Sequence, residues 1–211
     1  MKWFRPTGPG DPRLSLVAAA LLEGKICIVP TETVYGIAAL ASDEQAIRRV
    51  YEAKGRPNEK GLIVAAATVE QARRLCSNWP TSAQRLADRF WPGPLTIVLP
   101  KVAGVCEDIT GGGPTVAVRV PDHPILLEII GRIGEPVIAT SANVSGQASP
   151  RTAEYAIRQV GSFCAYAVDN GPSPIGTEST IVSLVPEFRV LREGAISARQ
   201  IEDELALRRQ D

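Results

Sequence analysis

Short apolar runs that alternate with helix-start signals constrain the fold of this chain most strongly. Runs such as Leu95–Leu99 and Pro136–Thr140 carry apolar side chains at nearly every position, instead of at every second one. Strands of that kind are typical of a sheet that is covered on both faces. Several runs are separated only by a turn, which favours a mixture of parallel and antiparallel pairs. The pattern predicts a single three-layer α/β domain of the α+β type, with a mixed sheet at its centre.

Capping boxes, prolines and glycines give approximate bounds for the elements. Capping boxes begin at Ser42, Thr68, Thr81 and Ser197, and Ser149-Pro150 and His123-Pro124 open two more helices. The predicted helices span residues 14–22, 42–53, 68–76, 81–90, 123–131, 149–160 and 197–207. The predicted strands span residues 25–29, 62–66, 95–99, 115–120, 136–140, 163–168, 180–185 and 189–191.

Composition narrows the classes of function. The 211 residues are enough for one well-buried domain and few for two. The formal net charge is zero, so bulk electrostatics do not favour capture of nucleic acid. Four scattered cysteines and a single histidine argue against a structural zinc site, and we expect no protein-bound metal. The N-terminus lacks the apolar core of a signal peptide and no apolar run reaches membrane-spanning length, so we expect a cytoplasmic enzyme or binding protein.

Hydroxyl groups at the end of a strand, followed by a cationic loop, form the clearest candidate site. The segment Pro30–Gly36 follows the apolar run 25–29, and Lys54, Arg56 and Lys60 come one helix later. Arginine and lysine neutralise phosphate or carboxylate oxygens, so these two segments suit a small anionic ligand. A strand, a turn and a solvated basic loop would give the same pattern, and spacing alone does not separate the two interpretations.

Two further segments place polar groups at strand ends. Arg119 ends an apolar strand, and burial of its guanidinium is costly unless it meets a carboxylate or a phosphate. A structural salt bridge is the simpler interpretation of that residue. Ser141 and Asn143 follow the run 136–140, at the end where open α/β sheets bind ligands, although both residue types are also common in ordinary turns. The sequence has no phosphate-loop or dinucleotide fingerprint.

Taken together, seven segments resemble the TsaC/YrdC family of threonylcarbamoyl-AMP synthases. They occur in the family's order: PTETVYG at 30–36, KGRPNEKGL at 54–62, FWPGPLT at 90–96, VAVRVPDHP at 116–124, ATSANVSG at 139–146, GTESTIV at 176–182 and LREGAIS at 191–197. The resemblance implies a twisted mixed sheet with a concave ligand cavity. It also implies the short form of the family, in which residues 1–211 are one domain with a core at about 12–207 and no second, C-terminal domain.

The resemblance further implies a reaction. L-Threonine, bicarbonate and ATP would give threonylcarbamoyl-AMP and pyrophosphate. This nucleotidyl transfer would supply the downstream tRNA threonylcarbamoyl-transferase machinery. Mg²⁺ would enter with ATP, because no acidic cluster in the sequence predicts protein ligands for it. A weak contact with tRNA is compatible with this role, and no membrane is involved.

The family pattern assigns roles to the residues at matching positions. Lys54 and Arg56 would be catalytic. The ATP-binding residues would be Lys54, Arg56, Lys60, Ser141, Asn143, Ser149 and Arg192. The threonine-binding residues would be Thr33, Tyr35, Thr115, Arg119 and Ser179, with Arg119 making a bidentate contact to the carboxylate. Gly61 and Ala65 depart from the pattern, because some relatives have a proline and a histidine at these positions.

Two other functions stay open at this point. An RNA-binding module could use the same concave face, which predicts salt-dependent tRNA binding without ATP turnover. A paralogue could keep the nucleotide site and act on another acceptor. The presence of Thr33, Arg119 and Ser179 together argues against the paralogue.

Overall fold

A mixed sheet runs through the part of the chain described by the computed structural model, residues 1–55 and 61–206. Its strands are β1 (Lys2–Phe4), β2 (Cys27–Val29), β3 (Gly36–Leu40), β4 (Ile63–Ala65), β5 (Leu95–Pro100), β6 (Thr115–Arg119), β7 (Val137–Ser141), β8 (Tyr166–Val168), β9 (Thr180–Ser183) and β10 (Arg189–Arg192). The helices are α1 (Leu14–Leu22), α2 (Glu44–Lys54), α3 (Val69–Arg73), α4 (Thr81–Phe90), α5 (Glu107–Thr110), α6 (Pro124–Ile133), α7 (Ala153–Val160) and α8 (Ala198–Ala206). No helix in these ranges is both long and apolar enough to cross a membrane.

The strand order confirms the predicted mixed sheet. The strands lie in the order β1-β8-β2-β3-β7-β4-β6-β5-β9-β10. The pairs β1/β8, β2/β8, β4/β6 and β5/β9 are parallel, and the other neighbours are antiparallel. Consecutive strands β2 and β3 are joined by the turn that contains residues 30–35, so the hydroxyl-rich segment lies between two buried strands.

The helices cover both faces of the sheet, as the continuous apolar strands predict. On one face, α1 and α6 pack against strand residues such as Cys27, Val29 and Ala65. On the other face, α2, α4 and α7 pack against residues such as Ile28 and Val64. Successive side chains of a strand point to opposite faces, so alternate positions of β2 and β4 belong to different cores. The sheet is therefore the middle layer, with a layer of helices on each face.

Three elements were missed by the sequence analysis. The segment Gly36–Leu40 forms β3, a fully buried strand near the centre of the sheet, and Lys2–Phe4 forms the edge strand β1. Glycine and alanine are depleted in strands, so the sequence GIAAL gives little strand signal. The third element, α5 at Glu107–Thr110, is a single helical turn that is too short to show periodicity.

Several predicted helix starts were wrong by a few residues. Asp43, not Ser42, caps α2, because its carboxylate accepts from the backbone N–H of Ala46 at 3.0 Å. Helix α7 begins at Ala153 after the cap Thr152, four residues beyond Ser149. Two or more residues that can cap a helix are close together in both regions, Ser42 and Asp43 before α2 and Ser149 and Thr152 before α7. Which of them caps the helix depends on how the preceding loop approaches it. The capping box at Ser197 is confirmed by reciprocal hydrogen bonds with Gln200.

Candidate active site

A cleft lies on one face of the central strands. Helices α1 and α6 cover the neighbouring part of the same face. Ile63 and Arg119 are on the same side of the parallel strands β4 and β6 as Ala65, which packs in the α1 and α6 core. The cleft encloses about 370 Å³, counted out to its solvent opening. Its lining residues are Thr31, Thr33, Val34, Gly36, Ile63, Arg119, Ala139, Thr140, Ser141, Glu178, Ser179 and Arg192. The convergence of a few polar groups in a concave cleft is typical of a small-ligand site.

Arg119 is held at the bottom of this cleft by three different groups. Its Nε donates to the carbonyl oxygen of Gly93 at 3.0 Å, and its Nη1 donates to Thr33 Oγ1 at 3.1 Å. Its Nη2 lies 2.6 Å from Glu32 Oε1, and both side chains of this ion pair are more than nine-tenths buried. Burial lowers the pKa of the Arg119 guanidinium, and the nearby Glu32 carboxylate opposes that shift. Arg119 therefore forms a buried salt bridge and also lines the cleft.

Gly93 fixes the carbonyl that Arg119 uses. Its N–H donates to the carbonyl oxygen of Val120 at 2.8 Å. Both the N–H and the carbonyl of residue 93 are therefore hydrogen-bonded. A Cβ atom at position 93 would lie 2.4 Å from the carbonyl oxygen of Phe90. No side chain fits there without a shift of the backbone, so the close approach of residue 93 to the backbone of Phe90 requires glycine.

Arg192 is held on the opposite wall of the cleft. Its Nε and Nη2 donate to the carbonyl oxygen of Ser179 at 3.1 and 2.9 Å, and Nη2 also lies 3.3 Å from Ser179 Oγ. Its Nη1 forms a 2.6 Å ion pair with Glu178 Oε2. The other oxygen of Glu178 accepts a hydrogen bond from Ser149. Glu178 thus brings together Ser149 and Arg192, and Ser179 bonds to Arg192 directly.

Lys54 ties the end of α2 to the loop after β7. Its buried ammonium donates to the carbonyl oxygens of Ser141 and, at 3.0 Å, Asn143, and lies 3.3 Å from Asn143 Oδ1. The N–H of Ser145 donates in return to the carbonyl oxygen of Lys54. The structure therefore groups Lys54, Ser141 and Asn143. The candidate residues Arg56 and Lys60 lie outside the described residues.

Lys54, Asn143 and Ser149 do not line the cleft themselves but bond to Ser141 or Glu178, which do. Tyr35 and Thr115 are outside the cleft lining without such a bond. Tyr35 is buried, and its hydroxyl donates to the carbonyl oxygen of Gly171 at 2.6 Å and accepts from the N–H of Asn170 at 3.0 Å. It therefore anchors the turn to a neighbouring loop, and it is not among the residues that line the cleft. Thr115 begins β6 opposite Pro100, four residues and about 13 Å along the strand from Arg119. It does not line the cleft with Thr33.

The sequence analysis missed the two glutamates. Glu32 and Glu178 stand at the centres of similar segments, Thr31–Thr33 and Thr177–Ser179, and each one pairs with an arginine of the cleft. The repeated order of threonine, glutamate and a hydroxyl residue was the available signal. The arginines are distant in sequence, so this signal does not identify their partners.

His123 lies next to this site. It is buried, its Nδ1 has no hydrogen-bond partner among the described residues, and its Nε2 lies 3.5 Å from the side-chain amide of Asn170. Burial lowers the pKa of His123, against the opposing effect of Glu32 and Asp122. Within residues 1–55 and 61–206, no three His, Cys, Asp or Glu side chains are grouped so as to hold a metal ion.

A mixed α/β sheet with cationic and hydroxyl groups in a cleft on one face is the class of fold and site that suits small anionic molecules. Comparison with known proteins identifies the particular family. The Sua5/YciO/YrdC family model, which carries the description "Telomere recombination", matches residues 19–194, and the chain belongs to this family.

The relatives are similar over most of this chain. It is 44% identical over 194 residues to the threonylcarbamoyl-AMP synthase of Bacillus subtilis, covering 91% of this chain and 56% of that protein. It is 35% identical to a putative threonylcarbamoyl-AMP synthase of Mycobacterium tuberculosis, covering 89% of this chain and 87% of that protein. The chain therefore spans little more than half the length of the B. subtilis relative and most of the M. tuberculosis one.

Solved structures have the same fold. The crystal structure of P. abyssi Sua5 complexed with L-threonine superimposes with a TM-score of 0.91 at 41% identity, covering 97% of this chain and 60% of that one. E. coli YciO superimposes with a TM-score of 0.85 at 19% identity, covering 95% of this chain and all of that one. The YciO comparison shows the fold alone. Together the two structures confirm the predicted fold class.

Proposed function

We propose that this chain is a threonylcarbamoyl-AMP synthase, a nucleotidyltransferase that uses L-threonine, bicarbonate and ATP. The observation that carries the proposal is the pairing of Arg119 with Thr33 at the bottom of a small cleft, with Ser179 and Arg192 on the opposite wall. The relative with the same fold and 41% identity was solved with L-threonine, which agrees with a site for a small carboxylate.

The threonine end of the cleft is the part that contains Arg119. A guanidinium can bind both oxygens of one carboxylate, and it does so more strongly where water is excluded. Thr33 and Ser179 add hydroxyl groups that can contact the remaining polar atoms of an amino acid. In this arrangement the carboxylate fixes the orientation of threonine, and its amine is left to capture bicarbonate.

The nucleotide end contains Arg192, Ser149 and the group formed by Lys54, Ser141 and Asn143. The residues present are cationic or hydrogen-bonding, so their contribution is to position and neutralise ATP beside the carbamate. A carbamate oxygen then attacks the α-phosphorus, and the bond from that phosphorus to the bridging oxygen of pyrophosphate breaks. One threonine, one bicarbonate and one ATP give threonylcarbamoyl-AMP, pyrophosphate and water. Arg56 and Lys60 are assigned to the triphosphate by family resemblance, and Mg²⁺ enters with ATP.

Pyrophosphate release by the purified full chain tests the proposal. The assay contains ATP, Mg²⁺ and bicarbonate, with L-threonine, with L-serine, or with no amino acid. We expect release that depends on both bicarbonate and threonine, and formation of threonylcarbamoyl-AMP in the same samples. Release that is indifferent to threonine would favour a paralogue with another acceptor. Absence of release, together with salt-sensitive binding of tRNA, would favour the RNA-binding module.

The product defines the partners that we propose. An acyl adenylate is consumed by a transferase, so the downstream partner is the machinery that transfers threonylcarbamoyl to tRNA. Transfer of radiolabel from [¹⁴C]threonine to unmodified tRNA, with and without that machinery, measures this step. Labelling of tRNA by the chain alone would contradict the proposal that separate machinery performs the transfer.

A further inference from the structure

Glu32 lies behind Arg119, away from the open side of the cleft. Its side chain is only 6% exposed, and Glu32 is not among the residues that line the cleft. Its Oε1 lies 2.6 Å from Arg119 Nη2, and its Oε2 is buried without a hydrogen-bond partner among the described residues. A buried carboxylate of this kind is costly, so its position beside the arginine calls for a functional explanation.

The contact between the two side chains is a short, buried ion pair. The Nη2 nitrogen is itself buried and lies against Glu32, not at the solvent opening of the cleft. The other donors of Arg119 that are in use are Nε, to Gly93, and Nη1, to Thr33. A guanidinium has five N–H donors, so Nη1 has a second donor besides the one that Thr33 accepts.

Glu32 is itself fixed from two directions. Its Oε1 accepts from the backbone N–H of Asp122 at 3.0 Å, just before α6. Its backbone carbonyl accepts from the N–H of Ile175 at 2.9 Å, in the loop before β9. The carboxylate therefore cannot follow Arg119 if that side chain moves, and its negative charge stays at a constant place.

We propose that Glu32 is a positioning residue for Arg119 in the threonine site. Its charge holds the guanidinium at the bottom of the cleft, so that the side of Arg119 that lines the cleft stays in place for the carboxylate of the substrate. This inference rests on the proposed function and adds to it a residue that does not itself touch the substrate. Without Glu32, the buried guanidinium loses its counter-charge and moves toward water.

A second effect of Glu32 acts in the opposite direction. Its negative charge repels the carboxylate of an incoming amino acid, so removal of the charge would by itself strengthen binding. The positioning effect is the larger one, because Glu32 lies behind the guanidinium and the substrate approaches from the other side. The sign of the change in threonine KM therefore separates the two effects.

Steady-state kinetics of the full chain test the proposal. We expect Glu32→Gln to raise the KM for threonine about tenfold or more, and to change the KM for ATP by less than about twofold. Glu32→Asp keeps the charge and should recover part of the affinity. The matched control is Asp11→Asn, which removes another buried carboxylate in a 2.6 Å ion pair with an arginine, Arg13, outside the cleft. It should leave the threonine KM unchanged.

Three kinetic results would overturn the proposal. A lower threonine KM in Glu32→Gln would show that Glu32 competes with the substrate. Equal increases in the KM for threonine and for ATP would show a general loss of structure. A Glu32→Asp variant as defective as Glu32→Gln would show that side-chain shape, and not charge, is what matters.

Nitrogen NMR of the guanidinium groups tests the positioning without turnover. In full chain labelled with ¹⁵N-arginine, a fixed guanidinium shows separate Nη1 and Nη2 signals, because rotation about the Cζ–Nε bond is slow. We expect such signals for Arg119, assigned by their loss in Arg119→Lys, and we expect Glu32→Gln to average them. Retention of separate signals in Glu32→Gln would refute the positioning role. If the wild type released no pyrophosphate, the synthase proposal would fail while this measurement still decided the role of Glu32.

Discussion

The two arginines of the cleft have similar partners but very different exposure. Arg119 and Glu32 are 8% and 6% exposed, whereas Arg192 and Glu178 are 37% and 34% exposed. A buried ion pair is rigid and is costly to break, while an exposed pair is screened by water and contributes little stability. One end of the cleft is therefore rigid and the other adaptable, which agrees with the proposed binding of a small carboxylate at the first and of a larger, flexible nucleotide at the second.

Removal of Arg119 should have the largest effect. Arg119→Ala leaves the Glu32 carboxylate buried without a counter-charge, so we expect a loss of about 3–5 kcal/mol in the free energy of unfolding. Threonine-dependent pyrophosphate release should fall about a hundredfold or more, because the carboxylate loses its main partner. Urea denaturation and the release assay measure the two effects. Arg158→Ala, which removes an exposed ion pair with Glu154, is the control. A destabilisation equal to that of the control would contradict the proposed rigidity.

Removal of Arg192 should affect binding more than stability. We expect Arg192→Ala to raise the KM for ATP about tenfold, with a change of about 1 kcal/mol or less in the free energy of unfolding. The reason is that its ion pair with Glu178 is partly solvated. Initial rates at varied ATP concentration and a urea titration provide the comparison with Arg119→Ala. If Arg192→Ala were the more destabilising of the two, burial would not be what distinguishes the two ends.

The two glutamates should respond in opposite directions to the same substitution. Glu178 lines the cleft and engages both Arg192 and Ser149, so it competes with ATP for these groups. We expect Glu178→Gln to lower the KM for ATP about two- to threefold, as for a screened surface interaction. Measurement at low and high salt should show that the gain shrinks as salt rises. If Glu178→Gln raised the KM for ATP as much as Glu32→Gln raises the KM for threonine, the two glutamates would not act in opposite directions.

The smallest predicted effect is on the pH dependence of stability, and it comes from the buried residue His123. Burial lowers the pKa of His123, so the unfolded chain binds a proton more readily than the folded protein. Stability is therefore lost as the pH falls through about 6.5, the ordinary value for histidine. We expect the melting temperature to fall between pH 7.5 and 5.5, and to fall less in His123→Gln. Identical pH profiles for the wild type and the variant would show that His123 is not the group responsible.

The sequence predicts the layers of the fold better than the positions of single residues. Continuous apolar runs identify the mixed, covered sheet because burial on both faces requires them. The strand Gly36–Leu40 was not predicted, because its small residues form a strand only through tertiary packing. Cap positions are uncertain where several residues that can cap a helix are adjacent, as at Ser42 and Asp43.

The candidate site was predicted in part. Arg119, Thr33, Ser179 and Arg192 converge at the cleft as the resemblance implies. Tyr35 and Thr115 do not, because position in a motif does not tell which way a side chain points. Glu32 and Glu178 were missed because an acidic residue in a turn resembles any solvated acid until its partner is known.

Gly93 has a consequence for attempts to redesign the acceptor specificity. Its backbone carries the hydrogen bond that orients Arg119, and Phe90 leaves no room for a side chain at that position. A combinatorial library that varied residues 90–94 would consist mostly of inactive members, whatever amino acid it was meant to select. Diversity is better placed at Thr33 and Ser179, whose side chains can change without moving that backbone.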